Sequence, residues 1–260
     1  MTAAVASPLL LLLIFWAPAW SFAAIVLLAI TAGSWEVLSM THPLDRVARW
    51  VGVGQSLLLA LLLYCFAHDP RVTLAAVWLS TSVGLLIPLW RLGDIPTAGA
   101  RLMAGVAVPL YLSMLVSLAL LNRDVPNEGP YYVLMTLMFA WMGDTGGYFC
   151  GRFLGRHKLH ERVSPKKTRE GFFGAVGGSV LGGLLAHFWY LPTIPLVHAV
   201  SLGALSGMLG QLGDLAESLL KRATAVKDSS RLVPGHGGVL DRIDALLVVS
   251  PLVYIYAVTR

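Results

Sequence analysis

The chain has 260 residues, 57% of them hydrophobic and only 13% charged, against about 25% charged in an ordinary soluble domain. A mean hydropathy of +0.73 with 26 Gly and 14 Pro points to a polytopic membrane protein, where small residues let helices pack closely without a water-driven force between them. Disorder, collagen-like repeats and a disulfide scaffold are excluded, and the net charge of +5 reads as basic loops beside anionic headgroups, not as a nucleic-acid surface.

A hydrocarbon core about 30 Å thick takes roughly 20 apolar residues per helix. A short apolar run at 8–16 comes first, set off by Ala17-Pro18-Ala19-Trp20. No Lys or Arg precedes it, so it does not read as a cleaved signal peptide. Full-length candidate spans follow at 21–40, 51–67, 72–90, 102–121, 131–150, 171–190, 196–220 and 240–258. The expectation is therefore an all-α transmembrane bundle of eight helices, or nine if the first run forms a hairpin with its neighbour; nine is preferred. The whole chain, 1–260, reads as one membrane domain, with N-terminal helices over 1–129 and a more polar half over 130–260.

Of the 19 basic residues, 16 fall in the loops near 41–50, 91–101, 151–170 and 221–242, and only Arg71, Arg123 and Arg260 lie on the other side. That bias assigns the four basic loops to the cytoplasm. Few Lys beside abundant Arg, Gly and Ala point further to a bacterial inner membrane. Cys65 and Cys150 have no CxxC spacing and read as packing residues.

Most of the 14 acids lie in loops, but Glu36, Asp144, Asp214, Glu217 and Asp244 fall within or at the ends of apolar runs, where an ionisable group is expensive and marks function by default. Glu36 has no motif around it and reads first as structural or interfacial. Asp144 sits in Trp-Met-Gly-Asp-Thr-Gly-Gly-Tyr, whose glycines allow a ligand or another backbone close by. Asp214, Glu217, Ser218 and Lys221 share one helix face, either as an internal salt-bridge ladder or as the wall of a polar cavity. Beyond them a basic, Gly-rich stretch, Lys227 to Gly238, leads to Asp241 and Asp244. Exposed backbone N–H groups, basic side chains and cation-holding carboxylates are the parts that phosphoryl and nucleotidyl transfer requires.

This stretch resembles the phosphatidate cytidylyltransferases, or CDP-diacylglycerol synthases. The pattern runs through Ser218, Lys221, Arg222, Lys227, Asp228, Pro234, His236, Gly237, Gly238, Asp241, Arg242 and Asp244 without insertion. Two further blocks are similar: Gly143-Asp144-Thr145 with Tyr148 and Gly151-Arg152, and Ser164-Pro165-Lys166-Lys167-Thr168 with Glu170-Gly171. The similarity covers roughly 130–260. Departures are mild: Ser230 stands where Gly is usual, Val233 for Leu or Ile, Arg169 for an apolar residue and Ala245 for Ser.

The resemblance implies transfer of CMP from CTP to phosphatidic acid, with Mg²⁺, giving CDP-diacylglycerol and pyrophosphate, and a homodimer as one assembly. It implies metal binding by Asp214 and Asp241, with Asp244 and Asp144 as further candidates. Lys221, Arg222, Lys227 and Arg242 would bind triphosphate or pyrophosphate, and Lys166 and Lys167 the lipid phosphate, beside Ser164, Thr168, Ser218, Gly237 and Gly238 as substrate-binding positions. Asp228 is expected to be functional. For His236 a phosphate-binding or loop-organising role is favoured over general base, because an ionised phosphate oxygen needs little help to attack. The alternatives are another CTP-dependent lipid enzyme, such as an ether-lipid cytidylyltransferase or a polyprenol kinase, and, from another class, a transporter. Against transport, the two halves show no repeat or paired broken helices.

Overall fold

The computed structural model describes residues 2–91, 93–226, 229–230 and 237–260, with side chains from Ser7 onward. The helices are α1 (Thr2–Trp16), α2 (Ala19–Thr41), α3 (Arg46–Cys65), α4 (Pro70–Trp90), α5 (Ile95–Ser113), α6 (Val116–Asp124), α7 (Gly129–Phe153), α8 (Arg169–Leu185), α9 (Leu196–Ala223) and α10 (Leu240–Thr259). Between α7 and α8 lies a small antiparallel hairpin of β1 (Lys158–His160) and β2 (Ser164–Thr168).

Several helix starts follow directly from local chemistry. Asp45 caps α3 by accepting from the Ala48 amide at 3.0 Å, and Asp69 caps α4 ahead of Pro70, accepting from the Arg71 amide at 2.9 Å. Each such cap is worth about 1 kcal/mol, and a proline at the first helical position loses no intrahelical bond. Thr168 does the same for α8, taking the Gly171 amide at 3.1 Å.

Among the described residues, seven helical segments are long and apolar enough to cross a bilayer: α2, α3, α4, Ile95–Asp124, Arg169–Tyr190, α9 and α10. The protein is thus a polytopic helical membrane protein, but the expected eight or nine spans reduce to seven by length and composition. The first run gives an apolar helix of only Ser7–Trp16. α7 is long enough at 25 residues, but it carries Asp144, Arg152 and five glycines. The outer surface bears large exposed apolar side chains such as Leu28, Leu74, Phe173 and Phe188, an arrangement suited to lipid contact.

Two departures from the expected elements affect the site. The run expected at 102–121 is broken at Met114–Leu115, where amides bond three residues back, Met114 N to Tyr111 O at 3.3 Å and Leu115 N to Leu112 O at 3.2 Å. α6 is then tied to α10 by the Ser117–Ser250 hydroxyl pair at 2.7 Å. Second, the basic loop expected between spans contains the β1–β2 hairpin. Glu170 fixes it to the start of α8 by accepting from the Arg156 amide at 3.1 Å and pairing with His157 Nδ1 at 2.6 Å.

The helices of the polar half pack backbone to backbone. A methyl group at Gly146 would run into the Gly174 carbonyl, and one at Gly178 into that of Met142, which locks α7 onto α8. On α9, Gly203 and Gly207 meet α8 at Val180 and Val176. α8 ends in a π-helical turn, Ala186–Tyr190, closed by Leu191 N to Ala186 O at 2.7 Å.

Candidate active site

The site lies where the last turns of α9 meet the first turns of α10. Gly213 makes this approach close: a Cβ there would sit 3.0 Å from the Asp244 carbonyl and 2.9 Å from Val248 Cγ2. Its neighbour Asp214 is thereby brought to Asp244. One turn on, Glu217 joins them, and oxygens of Asp214, Glu217 and Asp244 all lie within 4.8 Å of one another.

Two cations, one from β2 and one from α9 itself, close on this cluster. Lys167, from β2, reaches Asp214 Oδ2 at 2.6 Å and Gln211 Oε1 at 3.3 Å. Lys221 lies between Glu217 Oε1 at 3.1 Å and Asp241 Oδ1 at 2.5 Å. The other Asp241 oxygen accepts from Ser229 Oγ at 2.8 Å and the Gly238 amide at 2.9 Å. Gly237 makes that turn possible, with φ of 80° in the left-handed region, where a side chain is strained.

Of the expected metal set of Asp214, Asp241 and Asp244, Asp214 and Asp244 lie together with Glu217, and Asp241 stands beside Glu217, within hydrogen-bond reach of its carboxyl. Asp241 is also bonded by Lys221, Ser229 and the Gly238 amide, and Glu217, only 2% exposed at its side chain, completes the tight trio. Three hard oxygen donors converging from two helices suit Mg²⁺, which binds through a few carboxylates and keeps water or phosphate in its remaining positions. Asp144, on α7, is close enough to Asp214, Lys167 and Arg242 to feel their charges.

The remaining predicted residues lie around this centre. Ser218 Oγ is 3.5 Å from Asp214 Oδ1. Arg222 is exposed and its Nε donates to the Val163 carbonyl at 3.4 Å; Arg242 is likewise exposed. Ser164 and Lys166 lie on β2, Lys166 exposed, while Thr168 is used as the α8 cap. Lys227, Asp228 and His236 lie outside the described residues.

Two features went unread in the sequence. Glu36, on α2 and 1% exposed, accepts from Ser230 Oγ at 2.5 Å, Ser229 Oγ at 3.2 Å, the Val239 amide at 2.9 Å and the Leu240 amide at 2.8 Å. The signal was present, a buried acid in an apolar run, but its partners lie 193 to 204 positions away. The second feature is a cavity of about 1270 Å³ between α2, α5 and the end of α9. Met103, Ala104, Val108 and Leu220 give it apolar walls, and Glu217 joins it to the acid cluster. Its rim carries His42, Arg91 and Arg101. Burial, and then the Arg101 charge, hold the His42 imidazole below its ordinary range.

Known proteins resemble about half of this chain. The phosphatidate cytidylyltransferase of Synechocystis sp. is 47% identical over 138 residues, 51% of this chain and 46% of that protein. Those of Staphylococcus epidermidis, 42% identical over 140 residues and 51% of each chain, and Bacillus subtilis, 39% over 148 residues, 56% of this chain and 54% of that one, are similar. The match thus spans about half the length of these curated relatives. A family description, the cytidylyltransferase family, extends the likeness across residues 1–259. Helices, acid cluster and flanking cations therefore sit in a sequence framework shared from one end to the other, and the chain belongs to the cytidylyltransferase family.

Proposed function

We propose that this chain is a phosphatidate cytidylyltransferase of phospholipid synthesis, working at the cytoplasmic face of a bacterial inner membrane. The observation that carries the reading is the convergence of Asp214, Glu217 and Asp244 between Lys167 and Lys221, in a family of cytidylyltransferases. The relatives' names supply the lipid acceptor.

In the reaction a phosphatidate oxygen forms a bond to the α-phosphorus of CTP while the bond to the β-phosphate oxygen breaks, releasing pyrophosphate. Both reactants are polyanions, so the protein's work is positioning and charge neutralisation. Asp214, Glu217 and Asp244 would hold Mg²⁺, which neutralises the phosphates when bound. Lys167 and Lys221 are held against carboxylates at 2.6 and 2.5 Å, so their ammonium groups are oriented before any phosphate arrives. Arg222, Lys227 and Arg242 bind triphosphate or pyrophosphate, and Lys166, exposed on the hairpin, meets the lipid phosphate. The apolar cavity, which reaches Glu217, has room for acyl chains. No residue needs to take a proton from an oxygen that is already ionised.

The test uses detergent-purified protein with phosphatidic acid and labelled CTP, with and without Mg²⁺. Lipid-linked cytidine with equimolar, Mg²⁺-dependent pyrophosphate is the expected result. Release of CDP with a newly phosphorylated polyprenol would make the protein a kinase, and no transfer to any lipid would overturn the reading.

A further inference from the structure

Glu36 makes a pattern of contacts that burial alone does not require. A buried carboxylate needs only to be satisfied, and nearby hydroxyls on α2 or α3 would do that. Instead its two oxygens accept from four donors on one distant segment: the Ser229 and Ser230 hydroxyls before residues 231–236, and the Val239 and Leu240 amides after them. Those amides are among the first of α10, and they have no partner within that helix. The single Ser229 hydroxyl proton is shared between Glu36 Oε2 at 3.2 Å and Asp241 Oδ2 at 2.8 Å, so Ser229 stands between the two carboxyls; the other Asp241 oxygen accepts from Lys221 at 2.5 Å. Gly238 is packed so tightly that a Cβ there would fall 2.5 Å from Glu36 Oε2.

We infer that Glu36 is a positioning residue. From the N-terminal helices it fixes both flanks of the Gly-rich stretch and, through Ser229 and Asp241, sets where the Lys221 ammonium stands. Ser230, one of the positions where this chain departs from the resembled pattern, adds a hydroxyl to this grip that a glycine would lack. The inference rests on the proposed reaction for its kinetic consequence, but the grip itself is a property of the fold.

The test compares wild type with Glu36→Gln and Ser230→Gly. Glutamine keeps the size but has one acceptor oxygen, and its amide cannot accept from the other donors. Loss of charge-assisted bonds of this kind predicts a rise of roughly tenfold in KM for CTP, with KM for phosphatidate unchanged and the melting temperature nearly retained. Ser230→Gly should show the same split in weaker form. Hydrogen exchange followed by mass spectrometry gives a second readout that needs no turnover: the Val239 and Leu240 amides exchange faster in Glu36→Gln, while α7 to α9 do not change.

Unchanged exchange and unchanged constants in Glu36→Gln would overturn the inference. So would a loss of activity fully explained by less folded protein at wild-type kcat and KM. If wild type transfers no CMP but exchange at 239–240 still rises in Glu36→Gln, the grip stands and the proposed reaction is what fails.

Discussion

The two sides of α9 are built on opposite plans. Toward α8, Gly203 and Gly207 bring backbones into contact, and the void beside Asp144, between α7, α8 and α9, holds about 10 Å³, room for one water at most. Toward α2 and α5, the same helix faces a cavity of about 1270 Å³. Glu217 belongs to both, as a member of the acid cluster and of the cavity wall. Charges that must be held in fixed geometry are backed by the close-packed side, and the roomy side is left for something that varies in shape. Packing without side chains gives precision, and packing around a cavity gives tolerance.

The largest expected effect comes from the cluster between these sides. Asp244→Asn should cost about 10² to 10³ in kcat, the scale of removing one preorganised electrostatic contact, with the fold intact by circular dichroism. Retained Mg²⁺-dependent turnover would detach the acids from the chemistry. Next is the close-packed side. Gly207→Val places a side chain 2.7 Å from Val176 Cα and should destabilise by about 1–3 kcal/mol, as overpacking does. Gly177→Ala, with nothing within 4 Å, should leave thermal stability in detergent unchanged. If the two variants behave alike, the contrast between the sides is wrong.

Filling the cavity is the milder change. Ala104→Phe should raise KM for long-chain phosphatidate about tenfold, or about 1.4 kcal/mol, and leave KM for CTP alone; an equal effect on both would remove the lipid from this cavity. The smallest effect is at the rim, where Arg91 Nε meets Asp45 Oδ2 at 2.8 Å. The hydrogen bond from Arg91 holds the Asp45 carboxyl below its usual range. Such a group adds stability above the unfolded-state value and loses it as pH falls through the folded one. Asp45→Asn keeps a capping side chain, so it should lower the melting temperature slightly at neutral pH and flatten its decline in acid.

How much of this was legible in the sequence follows from which interactions are local. Apolar runs gave the positions of the membrane helices, because hydropathy is a property of a window. The break at Met114–Leu115 was not visible, since both residues are apolar and only the backbone bonding changes there. Nor was the hairpin, whose strands read as one basic loop. Helical spacing put Asp214, Glu217, Ser218 and Lys221 on one face, and they do adjoin. Asp241 and Asp244 are three apart and both turn to α9, but the first meets Lys221 and the Gly238 amide while the second joins Asp214 and Glu217. No spacing within α10 distinguishes them. Glu36 is the extreme case, a residue whose partners are set wholly by tertiary structure.

That long reach has a bearing on how the protein is made. A chain emerges from its N-terminus, so α2 enters the membrane while the serines and amides that Glu36 binds, 193 to 204 positions later, have not been synthesised. Two of the three clustered acids wait on the same helix for Asp244 on α10. Assembly of the charged centre therefore waits for α10. A chain stalled before α10 lacks the amides that satisfy Glu36, so that buried carboxyl is left unmatched.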